Sequence, residues 1–298
     1  PEFAVPCLKQ ILEDGYEIAG VFTQPDKPKG RKYVLTPPPV KEYAQSKGLQ
    51  VFQPTTLKDN SALELLESLR PDVIVVVAYG KLLPAGILKL PPLGCINVHA
   101  SLLPKYRGAA PIQWAVIRGE KVTGVTTMYM DEGLDTGDMI DKASLEIGEN
   151  ETAGELHDRL SLLGAGLLSQ TLKKLQDGTT VRTPQKEEEH TYAPMLDKSL
   201  SDISWNKSAQ EVHNQVRGLS PWPGASTLLD GKRLKIHQTR LAGMVGGRPG
   251  EVVGLSPLVI ACGDGRGLEL LEIQYEGSKR MAAGAFLLGH PIPFGVIL

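Results

Sequence analysis

The chain has 298 residues, enough for two domains with separate cores, and its 41% hydrophobic and 22% charged residues are those of an ordinary soluble globular protein. A net charge of −2 excludes a global basic field for nucleic acid but leaves room for a local one. Three scattered cysteines, Cys7, Cys95 and Cys262, argue against a disulfide framework or a zinc cluster and fit a reducing compartment. No apolar run approaches the roughly 18 to 20 residues of a membrane span. No signal peptide is visible, and the sequence opens without an initiator Met.

In chain order, Phe3, Val5, Leu8, Ile11 and Leu12 have the spacing of a helix over 2–14. Residues 18–23 read as a strand, 24–39 as a polar, Pro-rich loop, and 40–46 as a helix stopped by Gly48. Residues 62–69 form another helix, ended by Pro71. The β-branched run at 73–78 predicts a central parallel strand covered on both faces. Strand 96–99, helix 109–117, strand 125–130 and a long helix over 156–175 follow. Strands alternating with helices predict a doubly wound, mostly parallel (Rossmann-like) α/β domain over residues 1–182. No GxGxxG follows a strand, so the sheet lacks a nicotinamide fingerprint. Residues 183–201 are polar and read as a linker. Residues 202–298 hold a short helix at 209–217 and five short strands: 225–229, 234–238, 250–253, 258–261 and 268–275. That pattern predicts a small OB-like β-barrel.

The run Gly94-Cys95-Ile96-Asn97-Val98-His99 ends an apolar strand with two polar side chains. Residues two apart share a face of a strand, so Asn97 and His99 project together at the carboxyl end, where open α/β sheets bind ligands. An amide and an imidazole aimed at one point suit oxyanion stabilisation and proton movement. The bland alternative is a polar cap for the next helix. Residues 130–139 add four acids in eight positions with two glycines. A hard cation site, a solvated acidic turn, and a carboxylate facing His99 are all compatible with that spacing. Ser101 lies in no GxSxG elbow, which favours direct transfer between bound substrates over a covalent intermediate.

The segments Ile96 to Gln113, reading INVHASLLPKYRGAAPIQ, and Leu134 to Asp138, reading LDTGD, closely resemble the methionyl-tRNA formyltransferases. The resemblance spans nearly the whole chain, from Pro1-Glu2-Phe3-Ala4 through the basic loop at 24–31 to Ile203-Ser204-Trp205, Pro221-Trp222-Pro223-Gly224 and Lys279-Arg280-Met281. It implies that Asn97, His99 and Asp135 are a catalytic set. It implies that Ser101, Leu102, Leu103 and Pro104 bind the folate, with Tyr79 and Gly80 walling the pterin pocket. The implied reaction carries a formyl group from 10-formyltetrahydrofolate, a co-substrate, to the α-amino group of methionyl initiator tRNA, without a metal. The implied partners are that tRNA and the formylated folate, with no membrane, for a monomer in a bacterial cytosol or an organelle matrix.

A tRNA partner predicts local basic charge. Residues 24–41 hold five Lys/Arg against one Asp, a net of +4, and residues 198–298 hold eleven against eight, a net of +3. Lys27, Lys29, Arg31 and Lys32 are the loop candidates for phosphate contact, and Lys198, Lys232 and Arg233, with Lys235 beside them, are the C-terminal ones. Two features depart from the family pattern. A strand and a Gly-Thr precede Pro-Glu-Phe-Ala in the family, and that strand belongs in mid-sheet; the sequence here opens at Pro1, as a fragment starting after that strand would. Tyr33-Val34 stand where glycine or lysine is expected. The rival readings are another formyltetrahydrofolate enzyme, acting on water or a nucleotide-linked amino sugar, and a non-catalytic tRNA-binding protein on a decayed enzyme scaffold.

Overall fold

The computed structural model describes residues 2–29 and 33–298. Its first elements are α1 (Ala4–Glu13), β1 (Val21–Phe22), β2 (Lys27–Lys29), β3 (Val34–Thr36), α2 (Pro39–Ser46), β4 (Val51–Phe52), α3 (Asn60–Leu69) and β5 (Ile74–Val76). Next come α4 (Ala85–Leu88), β6 (Cys95–His99), β7 (Arg107–Gly108), α5 (Pro111–Ile117), β8 (Val122–Tyr129), β9 (Met139–Glu146) and α6 (Ala153–Gln176). The remainder are β10 (Tyr192–Ala193), α7 (Ala209–Gly218), β11 (Ala225–Leu229), β12 (Lys232–Met244), β13 (Val252–Leu255), β14 (Leu258–Ala261), β15 (Arg266–Tyr275), β16 (Met281–Ala282) and α8 (Ala283–Gly289).

The chain divides into two compact units. The first runs to Ala109 and includes Gly124–Leu145 and His157–Ala193; the second takes Ala110–Thr123, Glu146–Leu156 and Pro194–Leu298. The expected block 1–182 is therefore interrupted twice. The reason for the first interruption is visible in packing: Ala110, Trp114 and Ile117 around α5 belong to the core built on Val212, Val216 and Leu219. Residues 183–193, polar enough to read as linker, are part of the first unit, with Thr183 bridging Met139 and β10 pairing in parallel with β7.

In the first unit, β5, β6, β8 and β9 form a four-stranded sheet in that order. β5 and β6 run parallel, and β6 and β8 run antiparallel. β1 and β4 form a separate parallel pair. No hydrogen-bond ladder joins β1 to β5 among the described residues. A cavity of about 960 Å³ is lined by both strands, by Leu8 and Ile11 of α1, and by Leu172 and Leu175 of α6. This changes the expected environment of β5. Its Ile74, Val75 and Val76 are only half-buried, because they border that cavity.

Local signals set the helix ends. Asp59 caps α3 by accepting from the Ala62 amide, and Ser208 and Glu211 form a reciprocal capping box at α7. Pro111 opens α5, where its missing N–H costs nothing. Within the expected 24–39 loop, β2 and β3 make a short hairpin. Tyr33 there adopts φ +50, a left-handed conformation that suits glycine, and is 79% exposed. β4, α4, β9 and α8 carry no strong sequence periodicity and emerge only in the structure.

The second unit carries a six-stranded sheet, β11-β12-β15-β14-β13 with β16 paired to β15. Five of its strands are those expected and β16 is added; β12 extends over 13 residues, with register shifts against β15 that bend the pair. The pairing is an open path rather than a closed ring among the described residues. Leu234, Ile236, Ile260, Leu268 and Ile273 fill its buried face.

Candidate active site

β6 is flanked on both sides, so its polar end is held inside the sheet. Asn97 is 9% exposed and His99 is 6% exposed, and they point the same way by strand period. After His99 the chain turns through Ala100 to Pro104 and returns as Tyr106 to Gly108. That return fixes the imidazole: His99 Nε2 lies 2.9 Å from the Tyr106 carbonyl oxygen. A carbonyl only accepts, so Nε2 carries the hydrogen and Nδ1 is the nitrogen left to face the third residue.

That residue is Asp135. Its Oδ2 lies 3.7 Å from His99 Nδ1 and accepts from the Gly108 amide at 2.9 Å. Its Oδ1 accepts from Asn97 Nδ2 at 3.4 Å. The structure thus brings Asn97, His99 and Asp135 together across 38 residues of sequence. The acidic loop is shaped for this. Asp131 accepts from the Gly133 amide and the Thr136 hydroxyl, closing a tight turn. Gly137 presses against β8 so closely that a Cβ there would lie 1.9 Å from the Tyr129 carbonyl oxygen. Among the described residues no cluster of three or more His, Cys, Asp or Glu is placed to hold a metal.

The residues expected to hold folate are distributed unevenly. Ser101 and Leu103 are fully buried. The Ser101 hydroxyl donates to the Lys105 carbonyl, and the Leu103 amide donates to Thr126 Oγ1. Leu103 packs on Met128 and Met139, and the Leu103–Pro104 peptide is cis. The segment is thus a buried, hydrogen-bonded wall, with half-buried Leu102 its more accessible side chain. Lys142 braces it, donating to the Leu103 carbonyl at 2.5 Å. Burial pushes the Lys142 ammonium below the usual lysine range, and nearby Glu189 opposes that shift. Tyr79 is elsewhere in its contacts. It packs on the core around Leu57, Leu66 and Cys95 and lines the cavity beside β5, which none of Asn97, His99 or Asp135 lines. Its buried hydroxyl has no hydrogen-bond partner, and burial raises its pKa. Gly80 is exposed at φ +77.

Of the basic candidates, Lys27, Lys198, Lys232 and Arg233 are exposed. Arg31 and Lys32 lie outside the described residues, and Lys29 is placed by its backbone alone, in β2. Lys41, counted with the loop, is not available: it is bound to Asp26 at 2.9 Å and to Gln53. Lys41 and Gln53 together hold the Asp26 carboxyl below its ordinary range. Arg233 is shared between Asp202 and Ser226, and the Lys232 ammonium lies over the Tyr275 ring at 5.8 Å.

Sequence reading did not single out Tyr106, Gly108 or Gln185. Tyr106 and Gly108 act through backbone atoms, which leave no side-chain signal, although both fall inside the INVHASLLPKYRGAAPIQ run.

The chain is similar to known proteins over nearly its whole length. Residues 2–172 match the family described as formyl transferase, and residues 195–291 match the formyl transferase C-terminal domain. The methionyl-tRNA formyltransferase of Acetivibrio thermocellus is 50% identical over 302 residues, covering 100% of this chain and 97% of that protein. The one from Caldanaerobacter subterraneus is 53% identical over 301 residues with the same coverage. Among solved structures, a sugar 3N-formyl transferase with dTDP and 5-N-formyl-THF superposes with TM-score 0.68 at 20% identity, covering 93% of this chain and 95% of that one. An N-formyltransferase from Helicobacter canadensis gives 0.66 at 20% identity, covering 92% and 96%. At that identity these two structures speak to the fold alone. The chain belongs to the formyl transferase family and, within it, to the methionyl-tRNA formyltransferases.

Proposed function

We propose that Asn97, His99 and Asp135 carry the transfer of a formyl group from 10-formyltetrahydrofolate to the α-amino group of methionyl initiator tRNA. The observation that carries this reading is the convergence of the three side chains at one buried strand end, with the imidazole held from behind by the Tyr106 carbonyl.

The amine attacks the formyl carbon, a new C–N bond forms, and the carbonyl oxygen becomes an oxyanion. Asn97 has two amide hydrogens; one faces Asp135 and the other is available to that oxygen. Such a donor is typically worth about 3–4 kcal/mol in the transition state. The attacking amine must lose a proton and the departing folate nitrogen must gain one. Nδ1 of His99 and the Asp135 carboxylate flank a 3.7 Å gap in which that proton is taken up and returned. In the imidazolium both ring nitrogens donate, to Tyr106 behind and toward Asp135 in front. The segment Ser101 to Pro104 walls the folate side, chiefly through Leu102 and its backbone. Lys27, Lys29, Arg31, Lys32, Lys198, Lys232 and Arg233 contact tRNA phosphates. The protein works as a monomer in the cytoplasm.

Formyl transfer is assayed with formylated folate and three acceptors in parallel: charged initiator tRNA, a nucleotide-linked amino sugar, and water. Only the tRNA is expected to be formylated, and Asn97→Ala is expected to lower kcat by about 100- to 1000-fold. Consumption of the donor only with sugar or water sinks the acceptor assignment, and a wild-type rate in Asn97→Ala sinks the site.

A further inference from the structure

We propose that Gln185 is a positioning residue for this reaction: its side-chain amide holds the turn that presents Asp135, and Arg107 sets which way that amide faces. The inference rests on the assignment of Asp135 above and goes beyond it to a residue 50 positions away.

Gln185 Nε2 donates to the carbonyl oxygens of both Asp135 and Gly137, each at 2.8 Å. It thereby bridges the two ends of the short Asp135–Gly137 turn. Gln185 Oε1 accepts from Arg107 Nε at 3.0 Å. A guanidinium only donates, so the oxygen must face Arg107 and the nitrogen must face the turn. Arg107 is itself 1% exposed, and its Nη1 pairs with Glu187 Oε2 at 3.0 Å. The next residue, Gly108, donates its amide to the Asp135 carboxylate. Asp135 is thus gripped twice, at its carbonyl through Gln185 and at its carboxylate through Gly108, and both grips trace to β7. β10 secures that strand from the other side, pairing Tyr192 with Arg107 and Ala193 with Gly108.

Such a clamp has something to restrain. Asp135 stands at φ +56, a left-handed conformation that residues other than glycine seldom adopt. Without the amide bridge the turn can relax toward ordinary φ values, drawing the carboxylate away from His99 and Asn97. A displacement near 1 Å at a reacting centre typically costs about 100-fold in rate.

Gln185→Glu separates positioning from folding. The carboxylate keeps the size of the amide and still accepts from Arg107, so the buried guanidinium keeps its partner. It has no N–H for the two carbonyls of the turn. The expected result is a kcat lower by about 10- to 100-fold, with KM for formylated folate and for tRNA within about twofold. The thermal midpoint is expected to fall, because the new carboxylate oxygen faces two carbonyl oxygens. The kcat is therefore read well below that midpoint, where the folded fraction is unchanged, and its pH dependence is expected to move because the Asp135–His99 geometry has changed. A wild-type kcat overturns the proposal. So does a loss of rate with an unmoved pH profile that a fall in thermal midpoint fully explains. Asp135→Asn is measured alongside. If it keeps wild-type activity, the assignment of Asp135 fails; if it is inactive while Gln185→Glu is normal, the role of Gln185 alone fails.

Discussion

Asp135 shows how much of this site is decided at a single backbone position. Its left-handed φ turns the side chain back toward β6, and the small polar side chain of aspartate tolerates that conformation better than most. Two residues on, Gly137 lets the loop lie against β8 where no side chain fits. Gly137→Ala would place a methyl 1.9 Å from the Tyr129 carbonyl oxygen, so backbone has to move. The expected outcome is a loss of about 1–3 kcal/mol in urea unfolding, with kcat falling further than the unfolded fraction explains. A variant with parental stability and rate would show that the loop does not need this approach. Asp26 and Lys41 illustrate the opposite case. A charge pair that sequence counting placed with the phosphate-binding loop is spent internally. Because lysine and aspartate cancel, the +4 of residues 24–41 rests wholly on Lys27, Lys29, Arg31 and Lys32.

Among the elements, β5 departs furthest from its expected surroundings. Five consecutive β-branched or valine positions predict a strand buried on both faces, yet the strand is half-buried and borders an apolar cavity of about 960 Å³. β1 with β4 on one side and β5 with β6 on the other are both parallel pairs, and β1 and β5 each face the cavity.

Across the whole molecule, charge is partitioned rather than neutral. Residues 1–197 carry a net −5 and residues 198–298 a net +3, and the loop at 24–41 is a basic island in the acidic part. Phosphate binding by such islands releases counterions, so affinity for tRNA should fall steeply with salt. Charge reversal at Lys29 and Arg31 is expected to weaken tRNA binding and lower the salt slope by about two contacts, with folate binding unchanged. Unchanged tRNA affinity and salt slope in a filter-binding assay would remove the loop from the interface, and equal loss of folate binding by fluorescence would point to misfolding.

The amino-acid sequence by itself determined the α/β alternation, the β-rich second unit, and the placement of Asn97 and His99 on one strand face. Period-two and helical spacing are local properties, and local properties are written into short windows of sequence. Resemblance added Asp135, which no spacing rule links to His99. Only the tertiary structure decided that Tyr106 and Gly108 hold the pair through backbone atoms, that α5 packs with the second unit, and that a stretch as polar as 183–193 is built into the first. Gln185 sits beside Lys186 and three glutamates and looks solvated in one dimension. Its partners lie about 50 and 78 residues away, and hydrogen bonds to distant carbonyls leave no pattern along the chain.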